Sequence, residues 1–159
     1  MKTYHTTIPS PIGAITLTAS DRGITGLYME NHKGYPVITA DWDQDVAPFR
    51  DLHRQLDAYF AGKLQKFDVP LDLKGTPFQL EVWRALMDIP YGETATYLQQ
   101  AIRISRPAAI RAVGTANGRN PISIIVPCHR VIGTNGSLTG YGGGLDRKRY
   151  LLELEKKGN

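Results

Sequence analysis

The chain has 159 residues, 42% hydrophobic and 21% charged, with a net charge of +4. That size suits one domain or two small ones, and the composition is globular. No apolar run nears the ~20 residues of a membrane helix, residues 1–13 hold no apolar core of signal-peptide length, and the single Cys128 permits neither an internal disulfide nor a cysteine-based zinc site.

The first half reads as short strands broken by turn signals. In "TTIPSPIGAITLTAS" a hairpin turns at residues 10–13, and Ile15, Leu17 and Ala19 alternate with Thr16 and Thr18. "GITGLYME" follows as a third strand, and residues 31–44 are turn-rich and carry no assignment. Phe49, Leu52, Leu56, Tyr59 and Phe60 then recur at helical spacing up to Gly62. "GKLQKFDVPLDLKG" reads as a linker or an extended crossing.

The second half opens on a helix start. Thr76 is the N-cap, Pro77 takes the first helical position and Gln79 completes a capping box. Phe78, Val82, Ala85, Leu86 and Ile89 form the apolar stripe, and Pro90-Tyr91-Gly92 stops it. Two short helices are predicted next, over 96–102 and 107–117, in a helix-turn-helix pattern. Small residues on the second let its backbone come close to a partner. "ISIIV" reads as a buried strand leading to Pro127-Cys128-His129-Arg130, and "GTNGSLTGYGGG" as a loop. A last helix over 145–157 puts Leu151, Leu152 and Glu155 on one face, with Glu155 turned partly towards the core.

The positive balance leans towards an anionic partner such as nucleic acid. From residue 103 to 149 the cations Arg103, Arg106, Arg111, Arg119, Arg130, Arg147, Lys148 and Arg149 face a single acid, Asp146. The lone cysteine also fits a reduced, cytoplasmic protein. His5, His32 and His53 are scattered and make no metal-ligand pattern.

Cys128 is the one nucleophilic thiol. A nearby histidine, itself oriented by a carboxylate, can take a thiol proton. His129 and Glu155 are the candidates. Successive side chains diverge, so a bridging water would complete that relay. The residues alone leave other readings open: an incidental Cys-His pair with a solvated Glu155, a Cys-His hydrolase, or a transcription factor built on the helix pair.

"PCHRVIG", preceded by "NPISIIV" and followed by "GYGGG…RKRYLLELE", resembles the O6-alkylguanine-DNA alkyltransferase family. The likeness extends upstream through "GTPFQLEVWRAL", "IPYGETATY" and "RPAAIRAVGTANGRN", and is dense over 75–155. The N-terminal half resembles the family only in length and element order. The resemblance implies an α+β fold. A ribonuclease H-like sheet with a helix occupies 1–70, and a mostly helical, winged-helix-like domain with the helix-turn-helix occupies 75–159. It implies stoichiometric, irreversible transfer of an alkyl group from O6-alkylguanine, or O4-alkylthymine, to Cys128. His129 and Glu155 serve as the water-linked relay, and no cofactor or metal is needed.

The resemblance further implies a monomer that binds the minor groove of double-stranded DNA, where the helix pair alone would suggest the major groove. A lesion inside a duplex cannot reach a buried thiol, so the nucleotide must be extruded. Arg111 matches the family's intercalating arginine, and Tyr97 the tyrosine that helps rotate the nucleotide out. Ala108, Ala109, Ala112 and Gly114 match the close-approach positions, and Arg130 is grouped with them as a DNA contact. Asn120 matches the hinge asparagine. Cys128 and Val131 match carbonyls that receive the guanine amine, and Tyr141, Gly142 and Gly143 match the loop over the pocket. Gly142 stands where some relatives have Ser, Ile110 stands where Ala is common, and "YLQQAIRIS" is less typical of the first helix of the pair.

Overall fold

The computed structural model describes residues 2–158. Strands β1 (Tyr4–Ile8), β2 (Ile15–Ser20) and β3 (Gly23–Met29) form an antiparallel meander. A two-residue strand β4 (Asp43–Gln44) adds to β1 in parallel, giving the order β3-β2-β1-β4. Ile15, Leu17 and Ala19 face the core, as their alternation predicts. Thr16 and Thr18 are buried too, which the alternation does not predict. Thr16 Oγ1 lies 2.6 Å from Tyr35 Oη and Thr18 Oγ1 lies 2.8 Å from Thr25 Oγ1, so the second sheet face is also covered. Part of that cover comes from the unassigned segment 31–44.

Helix α1 (Arg50–Phe60) presents Leu52, Leu56 and Tyr59 to the core. The segment after it is an extended crossing. Ile24 N–H donates to Pro70 O at 2.9 Å and Asp72 N–H to Ile24 O at 2.7 Å. A side chain at residue 23 would put Cβ 2.6 Å from Pro70 O, so this approach requires Gly23. Further along the same edge, Leu27 N–H donates to Pro121 O at 2.9 Å. The outer edge of β3 therefore holds both the crossing and the turn that leads to Cys128.

Helix α2 (Pro77–Leu86) has the expected capping box, with Gln79 N–H donating to Thr76 Oγ1 at 3.1 Å. Such a cap contributes about 0.5–2 kcal/mol. Helix α3 (Tyr97–Arg103) starts the same way on Thr96 and Gln99, directly after β5 (Ala95–Thr96). Helix α4 (Ile110–Gly118) begins later than the predicted 107. Ser105 has φ +61°, and Ala109 N–H closes a turn on Arg106 O. Pro107 therefore sits in that turn rather than in the first turn of the helix.

A reciprocal amide pair locks α3 to α4. Gln100 Nε2 donates to Asn117 Oδ1 at 3.1 Å, and Asn117 Nδ2 donates to Gln100 Oε1 at 2.8 Å, both buried. Trp83 Nε1 donates to Ala116 O at 2.8 Å and ties α2 to the pair.

The "ISIIV" segment is buried but is no strand. It is a tight turn, with Val126 N–H donating to Ile122 O at 3.0 Å, and only Ile122 bridges to β3. A short apolar run carries no period that separates strand from buried turn. The chain ends in β6 (Val131–Ile132), parallel to β5, and α5 (Leu145–Gly158). No helix among the described residues is long and apolar enough to cross a membrane.

Candidate active site

Cys128 opens a one-turn 3-10 helix, Cys128–Arg130, at the exit of a turn that Asn120 holds together. The Asn120 amide donates to Val126 O at 2.7 Å and to Cys128 Sγ at 3.3 Å. Its oxygen accepts from Ile122 N–H at 3.0 Å. Ile124, inside the turn, has φ +74°, which a β-branched residue rarely adopts. Strain of this kind costs on the order of 1–3 kcal/mol and lies just ahead of the thiol. Burial pushes the Cys128 thiol above its ordinary pKa; the Asn120 bond and the Lys148 charge oppose that without reversing it. At neutral pH the resting group is a thiol, so it needs a base.

His129 follows Cys128 directly in the chain. Its ring is fully buried, and Nε2 lies 2.7 Å from Glu155 Oε2. Burial lowers the His129 pKa more than Glu155 raises it, so the imidazole is neutral. Burial of Glu155 works against its charge, but bonds and charges from His129 and Arg130 outweigh this and hold the carboxyl well below the usual range. With Glu155 ionised, Nε2 carries the proton and Nδ1 is left as an acceptor. Nδ1 is buried, and no group among the described residues hydrogen-bonds it.

The carboxylate of Glu155 has two further partners. Tyr59 of α1 donates its hydroxyl to Oε2 at 2.5 Å. Arg130 donates through Nε to Oε1 at 2.8 Å and through Nη2 to Oε2 at 3.1 Å, while its Nη1 reaches Ile89 O at 2.7 Å. Arg130 was expected among the DNA contacts. The structure corrects this: its side chain is buried and both guanidinium edges are taken inside the protein.

Lys148 was not anticipated. It is fully buried, and Nζ donates to Val131 O at 2.6 Å and Thr139 O at 2.8 Å. It also stands 6.0 Å from the Tyr97 ring centroid. Burial lowers its pKa to about 8, and the Cys128 thiolate opposes that fall. Lys148 thus holds the strand after Cys128 to the glycine-rich loop while placing a cation near the sulfur.

That loop carries three of the expected pocket residues, Tyr141, Gly142 and Gly143. Tyr97 donates its hydroxyl to Thr139 O at 3.2 Å. Tyr141 is buried, and its hydroxyl has no partner among the described residues. Gly142 O accepts from Lys33 N–H at 3.0 Å. A Cβ on Gly142 would fall 2.5 Å from the His32 ring, and one on Gly143 would strike Met29 Sδ. His32 is itself fixed, with Nε2 3.1 Å from Ser123 Oγ and Nδ1 bonded to Lys33 O. A serine at position 142 has no room here while His32 is in place. Gly142→Ser is accordingly expected to slow alkyl transfer at least tenfold, and His32→Ala in the same chain to restore most of it. Single-turnover rates of the two variants check this.

On the helix pair, Arg111, Ala108 and Ala112 are exposed, while Ala109 and Gly114 are half-buried. Gly114 faces inward, 3.8 Å from the Tyr97 ring as measured from an added Cβ. No cluster of metal-ligating side chains occurs among the described residues.

Two family models match the chain. The 6-O-methylguanine DNA methyltransferase ribonuclease-like domain covers residues 3–73, and the DNA binding domain of the same name covers 77–157. The methylated-DNA--protein-cysteine methyltransferase of Methanosarcina barkeri is 53% identical, over 96% of this chain and 97% of its own. The protein of that name from Mycobacterium bovis is 56% identical, over 96% and 92%. A crystal structure of Mycobacterium tuberculosis OGT in complex with DNA superposes with a TM-score of 0.91 at 54% identity, covering 98% of this chain and 94% of that one. With both halves matched and identity above half over nearly the whole length, the chain belongs to the 6-O-methylguanine DNA methyltransferase family.

Proposed function

We propose that this protein repairs alkylated DNA by moving the alkyl group from O6 of guanine onto its own Cys128. The observation that carries the reading is the buried series Cys128, His129, Glu155: a protonated thiol is followed in the chain by a neutral imidazole whose Nε2 is anchored on Glu155, leaving Nδ1 free to accept. His129 Nδ1 takes the thiol proton through one bridging water. Cys128 Sγ attacks the alkyl carbon, the S–C bond forms, and the C–O6 bond breaks. A proton returned to the base, by way of the Tyr97 hydroxyl, leaves guanine neutral. Atoms and charge balance with the thiol and the alkylated base alone, so no cofactor enters. The thioether has no good leaving group, and the chain has no second thiol, so each molecule reacts once. O4-alkylthymine offers the same bond to the same nucleophile.

Binding follows the same division of residues. The C-terminal unit, 75–159, carries the helix pair, and the N-terminal unit, 1–70, supports the relay through Tyr59. Exposed Ala108 and Ala112, with Ala109 and Gly114 behind them, let α4 approach the minor groove closely. Arg111 fills the space that the extruded nucleotide leaves, and Tyr97 gives up its bond to Thr139 as it meets the base. The Cys128 and Val131 carbonyls receive the guanine amine, the latter oxygen already accepting from Lys148. Backbone N–H groups at Gly142 and Gly143 face O6. The protein acts as a monomer, and a free thiol that must stay reduced to react suits the cytoplasm.

The reading is tested by mixing the protein with duplex carrying one O6-methylguanine. One lesion lost per chain supports it, and a second addition of DNA must stay unrepaired. Continued repair on the second addition overturns it. Arg111→Ala is expected to slow repair of duplex by about 10–100-fold while leaving the reaction with free O6-benzylguanine unchanged, because only duplex requires extrusion. Equal slowing of both substrates contradicts the role given to Arg111.

A further inference from the structure

A groove of about 680 Å³ opens beside α4, between residues of the two halves. Lys33 lines one side, Lys74 and Gln79 the start of α2, and Thr115 and Arg119 the end of α4. No carboxylate is among the lining residues. Lys33 and Arg119 make no ion pair among the described residues; Lys74 lies 3.9 Å from Asp72, whose carboxylate is also held by Ser20 Oγ at 2.6 Å. All three cations are exposed.

Two neutral features add to this balance. Gln79 uses its amide oxygen to accept from Thr76 N–H at 3.0 Å, which leaves its NH₂ as a free donor. The negative end of α4 is blunted, because Ala116 O already accepts from Trp83 Nε1 and Arg119 N–H. The groove also continues a surface already described. Arg111, Ala112, Thr115, Gly118 and Arg119, all exposed on α4 and its C-cap, are spaced so that they share one face, apart from the exposed Ile110 at the start of the helix. The groove begins where the far end of that face meets the N-terminal half.

The geometry points to a binding site for the phosphodiester backbone of the DNA that α4 engages, with Lys33 bringing the N-terminal half, and Lys74 the crossing between the halves, into the footprint. This rests on the DNA-binding reading above. A duplex strand is a continuous polyanion, and cations on separate walls of an acid-free groove suit a track of phosphates. Such contacts fix the position of a protein on a duplex without reading sequence, which is what a repair protein requires of them.

The test is the salt dependence of binding to an undamaged B-form duplex. Each phosphate contact contributes about 0.9 to the slope of log affinity against log salt. Lys33→Gln/Lys74→Gln/Arg119→Gln is expected to reduce that slope by about 2–3. A control with the same charge loss elsewhere, Lys63→Gln/Lys66→Gln/Lys157→Gln, is expected to leave it unchanged. Transfer from free O6-benzylguanine should match wild type in both, since neither set touches the thiol or its relay. The groove is overturned if its variant keeps the wild-type slope, or if the control reduces the slope equally. Binding to undamaged duplex is read without any alkyl transfer, so failure of the groove and failure of the transfer reading are separately visible.

Discussion

Glu155→Gln is expected to destabilise the protein by about 3–5 kcal/mol and to slow alkyl transfer about 10²–10⁴-fold. The two effects have one origin. Glu155 is the common acceptor for Tyr59, His129 and Arg130, all buried. An amide in its place leaves the Arg130 cation in the interior without a counter-charge. It also presents an NH₂ to donors, so the His129 ring loses the partner that fixes its tautomer. Denaturant unfolding reads the first effect and single-turnover transfer the second; near wild-type rates at full folding refute the relay.

Stability against pH gives an independent check. The folded pKa of Glu155 is depressed, so its contribution is complete above the ordinary glutamate value of ~4.3 and is lost as pH falls below it. Glu155→Gln should remove much of the acid limb of the wild-type stability curve.

Lys148→Met is expected to slow transfer about 10–100-fold with a much smaller change in stability. Two strong hydrogen bonds to Val131 O and Thr139 O are lost, and a charged donor contributes roughly 1.5–3 kcal/mol. The same change removes the desolvation cost of a buried ammonium, which offsets the stability loss. The cation near Cys128 is lost outright, and it is the one charge that favours the thiolate. Burial has lowered the Lys148 pKa to about 8. The wild-type transfer rate should therefore fall as pH rises above about 8, and Lys148→Met should lack that fall. Stability runs the other way. Between about 8 and the unfolded lysine value of ~10.4, the unfolded chain binds the extra proton, so this residue makes stability rise with pH. A rate that stays level through that range in wild type contradicts the role given to Lys148.

How much of this was legible depended on how local each signal is. The capping box of Thr76 and Gln79 is written in adjacent positions, and so is that of Thr96 and Gln99, which the same rule reveals. The helical spacing of α1 and the position of Glu155 on the core face of α5 followed from periodicity. Lys148 lies on that same face, one further turn back from Leu151 and Leu152, and a cation there was itself a signal of a buried partner.

Other features depend on chain crossings that no local pattern records. Tyr59 reads as one more apolar position of an amphipathic helix, yet its hydroxyl meets a carboxylate 96 residues away. Arg130 reads as part of a basic stretch, and only the folded position of Glu155 turns it inward. "ISIIV" has the composition of a strand, but Asn120 and the left-handed Ile124 curl it into a turn. His32 and Gly142 are distant in sequence, and their exclusion of one another appears only in three dimensions.

If Cys128 itself accepts the alkyl group, incubation with O6-benzylguanine changes the intact mass of the protein. The expected result is the gain of one benzyl group per chain, located on the peptide containing Cys128, with none gained by Cys128→Ser. An unchanged wild-type mass, or a gain that survives in Cys128→Ser, contradicts it.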